Sequence, residues 1–239
     1  MSSNDRSVQV IRCGDDVPEH DKDALLDSIN DIIGEHWTTT RLVWSREISP
    51  FHRHFGIALC RLQSGRVVGY AIYRRLRVGD SRAIYRAGAG VSAAFGRQGI
   101  YRALTQAIFL AECEPAGDAQ DIYYAWRTRS PTIWTANARW CRAVAPGIGA
   151  GHAADDPHLR DVAIQLAREM YPETPLELPS MVMRHVYDHM TYRVAPRDLR
   201  HDAVNKWFDR VVPDSVDAIF SVGVVAPSAT LGQRAGTTR

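Results

Sequence analysis

VSAAFGRQGIYRAL, residues 91–104, is the stretch on which the fold turns. It opens as the end of a strand, breaks at Gly96 and Gly99, and restarts as a helix. In that helix Ile100, Ala103, Leu104, Ala107, Ile108 and Ala111 recur at helical spacing. First-turn amides of a helix have no intrahelical acceptor and carry the positive end of its dipole. Glycine beside them lets a phosphate oxygen come close to the backbone, and Arg97 and Arg102 add charge. On these grounds the turn is a pyrophosphate cradle. It is neither G-x-G-x-x-G nor a P-loop, because the spacing and the P-loop lysine are missing.

Upstream, SRAIYRAGAGV (81–91) reads as a strand whose small residues mark a bulge or a close backbone approach. FGIALCRL (55–62) and RVVGYAIYRRLRV (66–78), joined at Gln63-Ser64-Gly65, read as a hairpin. DKDALLDSINDII (21–33) places Ala24, Leu25, Ile29, Ile32 and Ile33 on one stripe of an amphipathic helix, and 37–44 reads as a second short helix or loop. Downstream, Pro115 and Gly117 end the motif helix. DIYYAWRTR (121–129) is a strand, and 131–144 a helix with proline in its first turn. Residues 145–158 read as loop, 156–171 as helix, 180–190 as strand or helix, 196–212 as helix and 215–225 as a late strand. The last fourteen residues read as a flexible tail.

The chain has 239 residues, 45% hydrophobic and 23% charged. That excludes collagen-like, disordered and disulfide-scaffold classes and allows one large core. The net charge of +2 hides a segregation. Residues 1–40 carry three cations against nine acids, 41–142 carry sixteen arginines against six acids, and 143–239 carry ten cations against twelve acids. A GC-rich genome accounts for 27 arginines against 2 lysines, but not for a centre of +10. Such a centre implies an anionic partner. Cys13, Cys60, Cys113 and Cys141 have neither disulfide-framework nor zinc spacing, and reduced thiols in the cytoplasm are expected. The polar, acidic start is not a signal peptide, and no apolar run reaches the length of a membrane span.

At the 91–104 turn the sequence resembles the GNAT superfamily of N-acyltransferases, whose acyl-CoA loop reads V-x-x-x-x-[RQ]-x-x-G-x-[GA]. Val91 matches the first position, Gly99 the central glycine and Leu104 the following apolar position. Gly96 stands where Arg or Gln is usual, and Tyr101 stands where Gly or Ala is usual, which narrows the space beside the pyrophosphate. Arg97-Gln98 supplies polarity one residue later. TRSPTIWTANARW (128–140) is similar to a pattern of some bacterial members, through Thr128, Arg129, Pro131, Ala136 and Arg139. The resemblance implies a GNAT-like α/β domain with a mixed, mostly antiparallel sheet flanked by helices. Its element order is a helix, a short helix, two or three antiparallel strands, the motif strand and helix, a parallel strand, a helix and closing strands. The core is expected over 8–144, an insertion or extension over 145–214, a closing strand over 215–225 and the tail over 226–239.

The resemblance also implies an acyl-CoA co-substrate, no metal, and direct attack of an amine on the thioester. Val91, Gly96, Arg97, Gln98, Gly99, Ile100, Tyr101 and Arg102 are the expected cofactor-binding residues. A backbone amide near Gly90–Val91 is expected to hold the thioester oxygen. Tyr85 and Glu47 are the candidate catalytic residues, with water as the other route for the proton. His52, His54, Ser130 and Trp134 are the candidate amine-side residues, Trp134 standing where a general-acid tyrosine is expected. His185 and His189 have the i, i+4 spacing of metal ligands on a helix, but no third ligand is apparent. No His–acid arrangement supports Cys141 as a nucleophile.

Three functional readings follow. The first is an N-acyltransferase acting on a small-molecule amine. The second takes its acyl group from aminoacyl-tRNA, with the arginines and exposed Trp126, Trp134 and Trp140 meeting the nucleic acid. The third is a non-catalytic GNAT-fold binding module. Acyl chain, acceptor and oligomeric state are not legible here, a homodimer being one option.

Overall fold

The computed structural model describes residues 6–113, 122–148 and 156–225. The elements run β1 (Arg6–Ile11), α1 (Lys22–His36), β2 (Trp37–Thr39), β3 (Phe55–Leu62), β4 (Val67–Val78), β5 (Ser81–Val91), α2 (Ile100–Cys113) and β6 (Ile122–Thr128). They continue through α3 (Pro131–Ala138), β7 (Ala143–Ala145), α4 (Pro157–Met170), β8 (Leu176–Glu177), β9 (Val182–Met183), β10 (Met190–Tyr192), α5 (Asp202–Val211) and β11 (Ala218–Val225).

One sheet runs β1-β3-β4-β5-β6-β11-β9-β8, with β7 also on β11, and β10 with β2 forms a separate ribbon. Every ladder is antiparallel except β5–β6. Both faces of the sheet are covered, so the central strands are nearly continuous apolar runs. On one face Ile84, Tyr124, Trp126 and Ile219 pack against residues of α2, α3 and α5. On the other, α1 covers Ile57, Leu59, Tyr70 and Ile72, and α4 covers Tyr85, Ala125, Phe220 and Val222.

The parallel pair is short. β5 runs beside β6 only from Arg82–Ile122 to Arg86–Trp126, although β5 continues to Val91 against β4. Between the pairs Ile72–Gly88 and Tyr73–Arg86 the register shifts by one residue, leaving Ala87 of β5 as the extra residue where the strands part. A bulge increases local twist and bends the strand that carries it, which accounts for the parting. The small residues at the end of β5 serve the expected close approach: a Cβ on Gly90 would lie 2.8 Å from the Tyr70 ring and 2.9 Å from Ile32 of α1.

Several local expectations change. β1 carries no strand expectation in the sequence, its Ser7, Val8 and Gln9 being exposed on a sheet edge. Residues 37–39 form a strand, not a helix or loop, because they pair with 190–192. The helix expected over 131–144 stops at Ala138, since Ala143–Ala145 add to β11. Residues 180–190 split into two short strands with turns between them, and the helix expected from 196 starts at Asp202. Ala24 and Ala103 are exposed, while Leu26, Thr105 and Phe109 are buried, so both stripes are rotated slightly from the expected ones. Pro115, Gly117 and the 226–239 tail lie outside the described residues.

Candidate functional site

The loop between β5 and α2 is held by its own backbone. The Ser92 N–H donates to the Val68 carbonyl at 2.9 Å, and a 3-10 turn at 93–95 is closed by the Gly96 N–H on the Ala93 carbonyl at 3.1 Å. The chain then passes through two left-handed residues, Arg97 (φ 60°) and Gly99 (φ 78°), before the Ala103 N–H bonds the Gly99 carbonyl at 3.0 Å and begins the helix. Glycine adopts that conformation freely, whereas an arginine there stores on the order of 1 kcal/mol of strain. Strain held at a turn beside a helix N-terminus is a mark of a functional loop.

The same alternation turns backbone groups of β5 toward the gap. Since Ser92 bonds β4, antiparallel geometry faces the amides and carbonyls of Val91 and Ala89 away from β4, toward the edge that β6 has left. The Val91 carbonyl is taken by His36 Nε2 at 2.7 Å. A carbonyl only accepts, so Nε2 carries the proton in that bond and Nδ1 is the ring nitrogen left outside it. The Ala93 N–H donates to the Glu35 carboxylate.

An open cleft of about 1850 Å³ spans the gap, lined by the ends of α1 and β5, the loop, α2, α3 and the segment 192–200. Arg97, Arg102, Arg139, Arg193, Arg197 and Arg200 all line it, and among the described residues Glu35 is its single acid. Half of these arginines come from the segment after β10, more than ninety positions from the loop. Three contacts bring that segment across. The Arg193 N–H donates to the His36 carbonyl at 2.9 Å, Arg193 Nε donates to the Gly34 carbonyl at 2.8 Å, and Thr132 Oγ1 donates to the Arg197 carbonyl at 2.9 Å. Asp198 fixes the following turn, its carboxylate accepting from the Arg200 N–H at 2.9 Å and facing His201 Nδ1 at 3.0 Å. Arg197 also pairs with Asp209 at 2.6 Å.

Behind the cleft lies an inner cavity, centred where β5 and β6 part. Trp37, Ala89, Tyr101, Ile133 and Tyr192 line both spaces. Tyr101 is the partition, its hydroxyl donating to Asn137 Oδ1 of α3 at 2.9 Å and its ring lying 5.4 Å from the Arg86 guanidinium. Thus the residue that replaces the usual small one does not merely crowd the loop: it ties α2 to α3.

The single parallel pair that parts over a glycine loop and a helix N-terminus follows the element order that the 91–104 resemblance implies. The described residues form the mixed, mostly antiparallel sheet flanked by helices that the resemblance implies.

No protein-family model and no curated protein matches the sequence. Solved structures do. The ribosomal-protein-S18-alanine N-acetyltransferase of Escherichia coli is 15% identical over 92% of this chain and 94% of its own, with a TM-score of 0.43. A GCN5-related N-acetyltransferase from Kribbella flavida is 15% identical over 62% of this chain and 88% of its own, with a TM-score of 0.40. An aminoglycoside acetyltransferase from an uncultured soil metagenomic sample is 15% identical over 51% of this chain and 78% of its own, with a TM-score of 0.39.

Within the cleft the expected cofactor residues Val91, Gly96, Arg97, Gly99, Ile100, Tyr101 and Arg102 come together. Gln98 stands outside, on an exposed bond from Arg6 Nη1 at 2.9 Å. Ser130 lines the cleft as the N-cap of α3, accepting from the Ile133 N–H at 3.3 Å. Tyr85 lines the inner cavity with its hydroxyl against that of Tyr171. Burial, and then Tyr171, push its pKa far above the ordinary range, so it is a neutral phenol and not a resting base.

The other expected residues lie elsewhere. Glu47 is exposed on the 40–54 loop and lines neither space. His52 and His54 line a separate depression with Asp15 and Arg74. Trp134 is fully buried with its Nε1 donating to Ser221 Oγ at 3.1 Å, because it sits on the face of α3 that packs on β11. Trp126 and Trp140 are buried too, so none of the three is exposed to stack on a nucleic acid at the surface. His185 and His189 lie in a run of turns, not on one helix, and burial pushes the Cys141 thiol up and out of nucleophilic range. Among the described residues no cluster of three or more His, Cys, Asp or Glu is placed to hold a metal, and no helix is long and apolar enough to cross a membrane. His36, Glu35, Arg193, Arg197 and Arg200 escaped the sequence reading, since nothing local marks a residue as facing a loop some sixty to a hundred positions away.

Proposed function

We propose that this chain is an N-acyltransferase that moves an acyl group from acyl-CoA to the amine of a small molecule. One observation carries the reading: six arginines ring a single cleft whose floor is a glycine loop and a helix N-terminus, beside a strand edge with unpaired amides. Arginine forks and first-turn amides are what a pyrophosphate and a ribose phosphate require. CoA supplies the thioester; the protein's part is to hold it and to receive charge at its carbonyl. The Val91 and Ala89 amides face the gap, and either is suited to the oxygen that gains charge as the amine attacks. The amine must lose a proton, and water in the cleft carries it toward His36 Nδ1 and Glu35 at the mouth. Mixing acyl-CoA with a panel of small amines is expected to release free thiol above the uncatalysed rate. No release with any amine tested, from protein that binds CoA, would contradict transfer and favour a binding module.

A second reading keeps the cleft and exchanges the carrier for aminoacyl-tRNA. The three arginines of the 193–200 segment favour it, because they extend the positive surface beyond the loop. The three buried tryptophans speak against it. Under this reading RNA retention falls steeply with salt, with a slope of about −0.7 per phosphate contacted. A flat salt response, or no retained RNA, would exclude it.

A further inference from the structure

The inner cavity poses a problem of charge. Arg86 on β5 is only 6% exposed, and it spends one nitrogen, Nη2, on Thr105 Oγ1 at 3.0 Å. Its guanidinium lies 5.4 Å and 5.8 Å from the rings of Tyr101 and Tyr124, but its Nε and Nη1 find no partner. Arg127 on β6 stands between the rings of Tyr171 and Tyr187, at 4.6 Å and 4.9 Å, and its Nε is likewise unpartnered. Trp126 Nε1 and Asn137 Nδ2 are buried and unpartnered too. All four residues line this one cavity, and every one of these unpartnered atoms is a donor.

Nothing among the described residues answers them. The twenty residues that line the cavity include eight aromatic ones and His189, and none is an Asp or Glu. Buried arginines elsewhere in proteins are paired, because an isolated charge away from water is strongly unfavourable. Water satisfies donors but supplies no charge. A cavity with an aromatic wall, two cations and surplus donors is complementary to an anion with a flat apolar body.

We infer that the inner cavity binds a carboxylate carried on an apolar or aromatic group, with Arg86 as its main partner. Because five residues line both this cavity and the cleft, such a ligand would sit beside the thioester end of a bound carrier. That placement rests on the acyl-transfer reading; the carboxylate site rests on the cavity alone. Two sources share the chemistry: an acceptor amine that bears a carboxylate, as an amino acid does, or an acyl group that ends in one.

The test uses the full chain. 3-Phenylpropanoate and L-phenylalanine are titrated beside their primary amides, read by tryptophan fluorescence, since Trp37, Trp44 and Trp126 line the cavity. The carboxylates are expected to bind at least roughly tenfold more tightly than the amides. Arg86→Met is expected to erase that preference and Arg86→Lys to restore part of it. Equal binding of acid and amide, or no saturable binding of either acid at about 10 mM, overturns the inference. Should the Arg86 variants fail to fold, the acid-to-amide ratio of the unaltered protein decides alone.

Turnover separates the sources. Faster thiol release from acetyl-CoA with phenylalanine than with phenethylamine assigns the carboxylate to the acceptor. Faster release with phenethylamine from succinyl-CoA than from acetyl-CoA assigns it to the acyl group. Turnover that prefers neither removes the site from the reaction and overturns its placement beside the thioester. A CoA titration on the same sample keeps the two readings apart. Carboxylate binding without CoA binding overturns acyl transfer from CoA and leaves this site standing, whereas CoA binding without acid preference overturns this site alone.

Discussion

Gly90 and Gly99 bracket the loop and are required for opposite reasons. A Cβ on Gly90 would collide with Tyr70 and Ile32, whereas a Cβ on Gly99 would meet nothing within 4 Å, its constraint being a φ of 78°. Gly99→Ala is therefore expected to cost about 1 kcal/mol, purely in backbone conformation. Gly90→Val is expected to cost more, on the order of 1–3 kcal/mol, by forcing α1 off β5. Urea unfolding of both variants measures this, and a larger loss at Gly99 than at Gly90 would contradict it. Tyr101→Phe makes a third case. It removes one of two tyrosine hydroxyls on Asn137 Oδ1, the other being that of Tyr124 at 3.0 Å, and should cost about 1 kcal/mol. The glycines were legible in the sequence because they punctuate an otherwise regular strand and helix. Trp134 was not, for its place in a motif says nothing of which face of α3 it occupies.

At the level of elements, the strand–loop–helix unit could be read from sequence because its signals are local: apolar alternation, two glycines, then helical spacing. The β2–β10 ribbon could not, since three-residue strands carry too little pattern and these pair across about 150 positions. Yet that ribbon delivers the 193–200 segment to the cleft. Asp198 is its clamp. Burial works to raise the Asp198 carboxyl, but the Arg200 N–H and His201 hold it below its ordinary value of 3.8. A lowered carboxylate contributes stability that is present above its unfolded pKa and lost as pH falls through the folded one. The clamp is thus intact at neutral pH and fails only below about pH 4. Asp198→Asn is expected to lower stability at pH 7 by about 1 kcal/mol and to weaken CoA binding, through displaced Arg197 and Arg200. Calorimetry and CoA titration check both, and unchanged CoA affinity would separate the segment from the cleft.

For the molecule as a whole, the segregated charge visible in the sequence has a structural counterpart, though not the expected one. Three arginines of the rim belong to the central positive block, and three come from a C-terminal half that is net acidic. The binding surface is assembled across the chain, so segment arithmetic located only half of it. The account stands on the claim that this rim holds a phosphorylated acyl carrier. The most direct measurement is a thermal melt with acetyl-CoA, for the unaltered chain and for the paired substitution of Arg97→Ala with Arg200→Ala. Ligand at a hundred times its Kd stabilises by about 2.7 kcal/mol, which for a chain of this size raises Tm by roughly 5–10 °C. The account predicts such a rise at millimolar acetyl-CoA, largely lost in the double variant. No rise in the unaltered protein, or an equal rise in both, would contradict it.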